Sequence, residues 1–320
     1  MEKTNKRKEI LITGGLGFIG STLARKYANE GHKVTIVSRS DKKKTNISDI
    51  EKEVTITLKD IRDIGMDDVA GKDYIFHFAG TVDNYAVKEG NPYEDININC
   101  TGTVALLEAC KNYNKEARIM LASTFFVNGN PTKLPVTPES PCNPLALYPA
   151  TKLAAEHFFH IYNKVSGLDT LVARFTNVFG PYEQGDNRKK AGFNFLINQA
   201  LRGEEIKLYN NGDFVRDYIY VDDVVDACRV IAEKGKTNET YYIGRGEFIK
   251  FRKLIDIIAS IIPDTKVIGV NPPEFHKAVG IANFVADVSP IKELGWAPKV
   301  SLEEGILRTI NFYRSAQKRL

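Results

Sequence analysis

The feature that most restricts the fold is the run KEILITGGLGFIGSTLARKYANEG at residues 8–31. Its short apolar start, ending at glycines, reads as a buried strand. The amphipathic stretch after it reads as a helix, stopped by Gly31. Gly14, Gly17 and Gly20 lie between the two. A tight turn at Gly14, a close backbone approach to a ligand at Gly17 and close strand–helix packing at Gly20 each need the missing Cβ. Phe18 and Ile19 enter the first helical turn, whose N–H groups attract an anion. Strand, glycine turn and helix in this order predict a site for a dinucleotide's pyrophosphate.

The same alternation continues. KVTIVSRS, VTITLKDI, YIFHFAG, ARIMLAST and TLVARFTNVFG read as further strands. INCTGTVALLEACKNY and the stretch from Tyr148 to Gly167 read as helices between them. A strand–helix alternation up to about residue 182 predicts an α/β fold, a doubly wound parallel sheet over residues 1–182. Beyond it the pattern loosens. A charged loop at Asp186–Lys190 precedes a helix at FNFLINQALRG and a short strand at EIKLYNNG. RDYIYVDDVVDACRVIAEK reads as a strand entering a helix, a segment near 214–235 returning to the first domain. Residues 183–320 are expected mainly to form a smaller, interleaved α/β substrate domain.

The end of the second strand bears on the cofactor. A carboxylate there would accept hydrogen bonds from the adenosine ribose. This chain has Ser38 and Arg39, then Lys42, Lys43 and Lys44. Serine leaves room and arginine pairs with a 2′-phosphate, which favours NADP over NAD. The alternative is that Arg39 stacks on adenine and the lysines face solvent. Asp60 and Ile61, ending the third strand, are placed to flank the adenine, unless Asp60 is a surface loop residue.

Composition narrows the partners. The formal charge is +4, and Lys3, Lys6, Arg7 and Lys8 form a small basic head. No helix carries a long Arg/Lys face, so nucleic acid is not expected as a partner. No apolar run reaches the roughly 20 residues that span a bilayer. The first strand begins with no apolar leader before it, so the expected location is cytoplasmic. Cys100, Cys110, Cys142 and Cys228 match neither a disulfide framework nor a metal site, and no metal is expected.

Tyr148 and Lys152 are four residues apart at a helix start, hence on one helix face. A nearby ammonium would stabilise the tyrosinate, and Lys152 could also hold the nicotinamide ribose. Thr124, ending the fifth strand, is placed to hydrogen-bond a substrate oxygen. Together they form a proton relay suited to hydride transfer at a carbinol carbon.

TGGLGFIG, FHFAG, ININCTGT, LASTFFVNG, YPATK, RFTNVFGP and RDYIYVDD occur in one order along nearly the whole chain. In this the chain resembles the extended short-chain dehydrogenase/reductase family, also called the NAD-dependent epimerase/dehydratase family. The resemblance implies a Rossmann domain and a smaller domain holding a nucleotide-diphosphate sugar. It implies homodimers through a four-helix bundle of helices near 101–113 and 149–165. By the same likeness Ala79 and Gly80 line the cofactor cleft and Asn99 supports the active-site wall. Asn177 would contact the diphosphate region, and Arg216, supported by Asp217, a phosphate. Without the likeness, Asn177 reads as a turn residue and Arg216–Asp217 as a surface ion pair. Phe193, Asn194, Lys207 and Leu208 fall where relatives hold the nucleotide base.

Family members that dehydrate the sugar carry Asp and Glu after the catalytic Thr. Here Phe125 and Phe126 follow Thr124. Neither can move a proton, which speaks against a 4,6-dehydratase; either phenyl ring could face the sugar or fill core. The family's usual tyrosine in this motif is Asn128. His77 at a strand end reads as structural. The leading expectation is a nucleotide-sugar 4-epimerase. The alternatives are an NADPH-dependent 4-ketoreductase, a 2-epimerase and a non-catalytic cofactor-binding scaffold.

Overall fold

The computed structural model describes residues 7–84, 86–186 and 192–317. Lys3, Lys6 and the expected charged loop from residue 187 onward lie outside them. The chain builds β1 (Glu9–Thr13), β2 (Lys33–Ser38), β3 (Val54–Leu58), β4 (Tyr74–His77), β5 (Arg118–Thr124) and β6 (Asp169–Phe175). It then leaves this sheet through β7 (Asn177–Phe179), β8 (Ile206–Tyr209), β9 (Val215–Arg216) and β10 (Tyr218–Tyr220). It returns as β11 (Thr240–Ile243), followed by β12 (Ile249–Lys250) and β13 (Val267–Val270). The longer helices are α1 (Phe18–Asn29), α2 (Gly102–Tyr113), α3 (Leu147–Ser166), α4 (Gly192–Leu201), α5 (Val221–Lys234), α6 (Phe251–Ile261) and α7 (Leu302–Gln317).

Seven strands form one parallel sheet in the order β11-β6-β5-β4-β1-β2-β3. Successive side chains point to opposite faces, and both faces are buried, as a parallel sheet requires. Ile10, Ile12, Phe76 and Met120 pack under α1 and α5 with Leu23, Tyr27, Val224 and Ile231. Leu11, Ile75 and Ile119 pack on the other face with Leu106, Leu107 and Phe159 of α2 and α3. The connections reverse direction between β1 and β4, which opens a crevice at their C-terminal ends.

Two features differ from the sequence expectation. TLVARFTNVFG is not one strand. Thr176 donates its N–H to Ile243 O at 3.0 Å, and Asn177 donates to Asp217 O at 3.0 Å. Backbone pairing therefore passes from β11 to β10 at Thr176, and β7 leaves the main sheet. The edge strand β11 was not expected, because four residues, TYYI, carry too little periodicity to be read. The smaller domain packs α4, α6 and α7 around Phe179, Ile197, Leu208, Leu254, Ile255 and Ile306. No helix among the described residues is long and apolar enough to cross a membrane.

Candidate active site

The Gly14–Gly20 turn, the Ala79–Gly80 turn after β4, the end of β5 and the first turns of α3 converge on the crevice. Two connected lobes fill it, of about 580 and 480 Å³, sharing Gly14, Gly17, Phe78, Gly80 and Thr81 among their walls. Thr124, Phe126, Tyr148, Lys152, Asn177 and Arg216 line the first. Ser38, Arg39, Lys42, Asp60, Ile61 and Ala79 line the second.

The crevice fits a dinucleotide. Gly14 has φ +70°, and a Cβ there would stand 2.7 Å from Ala79 N. A Cβ at Gly20 would stand 2.5 Å from Gly14 O. Gly17 caps α1 with no side-chain hydrogen bond, so the N–H groups of Phe18 and Ile19 stay available to an anion. In the second lobe Arg39 pairs with Glu94 at 2.8 Å, both side chains exposed. Asp60, on the wall of this lobe, is ion-paired. Both its oxygens are taken by Arg62, at 2.9 Å, which holds the carboxyl down at about 2.

Thr124, Tyr148 and Lys152 are all buried. Thr124 Oγ1 accepts the Phe126 N–H at 3.3 Å. Burial pushes the Tyr148 phenol up to about 12, Thr124 pulls it back and Asp95 adds to the rise. Burial pushes Lys152 down to about 8, against the opposing pull of Cys100, Glu156 and Asp95. The expectation that the ammonium depresses the phenol is corrected for the protein by itself. Lys152 Nζ lies against the Gly80–Asn99 wall, where a Cβ on Gly80 would stand 2.9 Å from both Nζ and Asn99 Oδ1. Thr124 is the group that favours the tyrosinate.

A wider helical turn at Ile96–Thr101, ahead of α2, brings Asn99 to that wall. Its Oδ1 accepts the Thr81 N–H at 3.0 Å, and its Nδ2 donates to Thr151 Oγ1 at 2.9 Å. Beneath Thr124 runs a buried ion pair, Arg174–Glu156 at 2.7 Å. Ser123 donates to Glu156, and Arg174 reaches Tyr242 Oη at 3.1 Å. Tyr242 donates to Asn128 Oδ1 at 2.5 Å, so Asn128 is a buried member of this network and not a pocket residue.

On the substrate side Phe125 and Phe126 both line the first lobe. Phe125 is buried, with ring centroids 4.3 Å from Phe126 and 4.7 Å from Phe284. Asn177 lines the lobe while its Nδ2 donates to Asp217 O at 3.0 Å. Arg216 does not pair with Asp217. It donates to the carbonyls of Val215, Ala282 and Ile281, while Asp217 accepts backbone N–H groups from Arg245, Gly246 and Ala286. Phe193 lines the lobe, but three other expected residues do not. Asn194 is fully buried and donates to Gly180 O at 2.6 Å and Tyr313 Oη at 2.8 Å. Leu208 belongs to the core of the smaller domain, and Lys207, next to it in the strand, is exposed. Strand alternation sends the two to opposite faces of β8, neither of them toward the cleft.

Sequence reading missed Val82, Asn84, Glu183 and the segment His276–Ile281 as cleft walls. Asn84 Oδ1 is buried without a hydrogen-bond partner among the described residues and offers an acceptor there. Burial raises the Glu183 carboxyl to about 8, Lys43 opposing. Among the described residues no group of three or more His, Cys, Asp or Glu could hold a metal ion.

Comparison with known proteins identifies the family. The NAD dependent epimerase/dehydratase family matches residues 10–244. A UDP-glucose 4-epimerase of Mycolicibacterium smegmatis is 30% identical over 317 residues, covering 95% of this chain and 98% of that one. The UDP-N-acetylglucosamine 4-epimerase of Methanobrevibacter ruminantium, in complex with UDP-N-acetylmuramic acid, superposes with a TM-score of 0.89 at 27% identity, over 97% of this chain and 99% of its own. The UDP-glucose 4-epimerase of Thermotoga maritima, solved with UDP-glucose, gives 0.86 at 29% identity, over the same shares. A dinucleotide crevice closed by a buried Thr-Tyr-Lys site, on a Rossmann sheet with a smaller α/β domain, makes the chain an NAD(P)-dependent enzyme of the NAD dependent epimerase/dehydratase family.

Proposed function

We propose that the protein is a cytoplasmic, homodimeric nucleotide-sugar epimerase acting at C4 of an NDP-hexose. The observation that carries this reading is the makeup of the buried site: one phenol, one hydroxyl and one lysine, with Phe125 and Phe126 where a dehydratase needs an acid and a base. Arg216 lines this lobe, and the N–H groups it does not give to the carbonyls of Val215, Ala282 and Ile281 would serve a diphosphate. A bound nicotinamide would supply reversible hydride transfer. Tyr148 takes the C4 hydroxyl proton and later returns it. Thr124 orients the oxygen and stabilises the tyrosinate, and Lys152 holds the cofactor ribose beside Gly80. The 4-keto sugar turns in the lobe, whose Phe126, Val82 and Ile281 walls offer apolar surface without fixing one ring face.

For the cofactor we favour NADP, because the rim of the second lobe carries Ser38, Arg39 and Lys42 and no carboxylate at the end of β2. Arg39 would have to leave Glu94, and an exposed pair of this kind is worth only about 0–1 kcal/mol. Arg39→Ala should weaken NADP binding more than NAD binding by calorimetry; equal changes would remove the reason for the choice.

The second reading is a 4-ketoreductase with the same three residues, favoured by the same cationic rim. The test is to denature the purified protein, identify the dinucleotide it releases by mass, and follow NDP-hexoses by NMR. A retained dinucleotide and interconverting C4 epimers support the epimerase. Consumption of added NADPH against a 4-keto sugar, with no epimer formed, overturns it for the reductase.

A further inference from the structure

His77, at the end of β4, is fully buried and stacked on Phe159 with ring centroids 6.4 Å apart. Its Nδ1 lies 2.9 Å from Thr13 Oγ1 and its Nε2 lies 3.0 Å from Thr103 Oγ1. The partners fix the proton. Thr103 spends its hydroxyl hydrogen on Asn99 O at 2.5 Å, so it must accept from Nε2–H. A neutral ring then presents Nδ1 as an acceptor, and the Thr13 hydroxyl donates to it. Thr13 Oγ1 keeps a lone pair for the Ala79 N–H, at 3.2 Å. Burial and the charge of Lys152 both keep the imidazole neutral, pushing it down to about 3.

The line of bonds ends on cofactor-lining backbone at both sides. Ala79 stands back to back with Gly14, whose added Cβ would meet Ala79 N at 2.7 Å. Asn99 reaches Thr81 N and, through Thr151, the Tyr148 carbonyl at 2.8 Å. We propose that His77 is a positioning residue for the dinucleotide: as a neutral, Nε2-protonated ring it aims the Thr13 hydroxyl and so sets the Ala79–Gly80 wall of the cofactor crevice. This does not depend on the C4-epimerase reading. It requires only that the dinucleotide lies in the crevice.

His77→Asn and His77→Gln separate the two ends of the ring. The Asn side-chain oxygen stands near the position of Nδ1 and retains an acceptor for Thr13. The Gln amide nitrogen stands near Nε2 and retains a donor for Thr103. Both leave part of the ring's volume unfilled, so both should lower the melting temperature. Calorimetric titration with NAD and with NADP, on the full chain, should find the Asn variant within about threefold of the parent. The Gln variant should bind about tenfold more weakly, the effect of about 1.4 kcal/mol. Equal weakening in both variants, or no weakening in Gln, overturns the proposal. Should either variant fail to fold, Thr13→Val keeps the shape of Thr13 and removes the hydroxyl. It should weaken dinucleotide binding by a similar factor, and unchanged affinity there overturns the proposal.

Discussion

Tyr148 is buried in a pocket that raises its pKa to about 12, with Thr124 pulling the other way, so the group that ionises must do so with help from its neighbours. Tyr148→Phe removes the proton carrier alone. We expect kcat to fall by about 10²–10⁴, the usual worth of a positioned acid–base group. Dinucleotide binding should persist in a calorimeter, and full activity would exclude the phenol from the chemistry. Glu183 allows a prediction about pH. Its carboxyl keeps a proton in the folded protein up to about 8, while the unfolded chain loses it near its ordinary 4.5. The folded state binds more protons between those values, so this group makes stability fall as pH rises from about 4.5 to about 8. Melting temperatures across that range should fall less steeply in Glu183→Gln, and an unchanged slope would assign the dependence elsewhere. Thr124, Tyr148 and Lys152 were legible because a four-residue helical spacing and a strand end are local facts. Glu183, Asn84 and His276–Ile281 were not, since only the path of the chain after residue 80 or 182 brings them to the cleft.

At the scale of elements, the glycine turn was readable in full because each glycine answers a backbone contact inside one strand–helix unit. Gly20→Ala would place a Cβ 2.5 Å from Gly14 O and 2.8 Å from Gly15 Cα, both backbone atoms with little room to yield. We expect a loss of about 1–3 kcal/mol in stability, seen in urea denaturation, together with weaker dinucleotide binding. A variant as stable as the parent would mean that α1 shifts freely against β1. The break at Thr176 was not readable. Its neighbours ARF and NVF carry no local signal that separates them, and the choice between β11 and β10 as partner is made by segments forty and more residues away. Lys207 and Leu208, on β8, do not line the cleft: the first is exposed and the second belongs to the core of the smaller domain, a placement set by how β8 packs in that domain and not by local sequence.

Across the whole molecule, α3 leaves His157, Ile161 and Val165 exposed at four-residue intervals on one stripe. If the expected homodimer forms through α2 and α3, Ile161→Glu should halve the sedimenting mass without lowering the melting temperature of the monomer. An unchanged mass would place the dimer contact elsewhere. The interleaving of the two domains has a practical consequence for anyone who would cut them apart. A fragment ending at residue 182 would lack both α5 and β11. Its sheet would end on β6, whose Leu171, Val172 and Ala173 are fully or almost fully buried in the intact protein. Such a strand, stripped of its neighbour, offers a bare row of amides and carbonyls to any other chain. The fragment should precipitate or pair with itself unless a peptide of residues 214–243 is supplied to complete it.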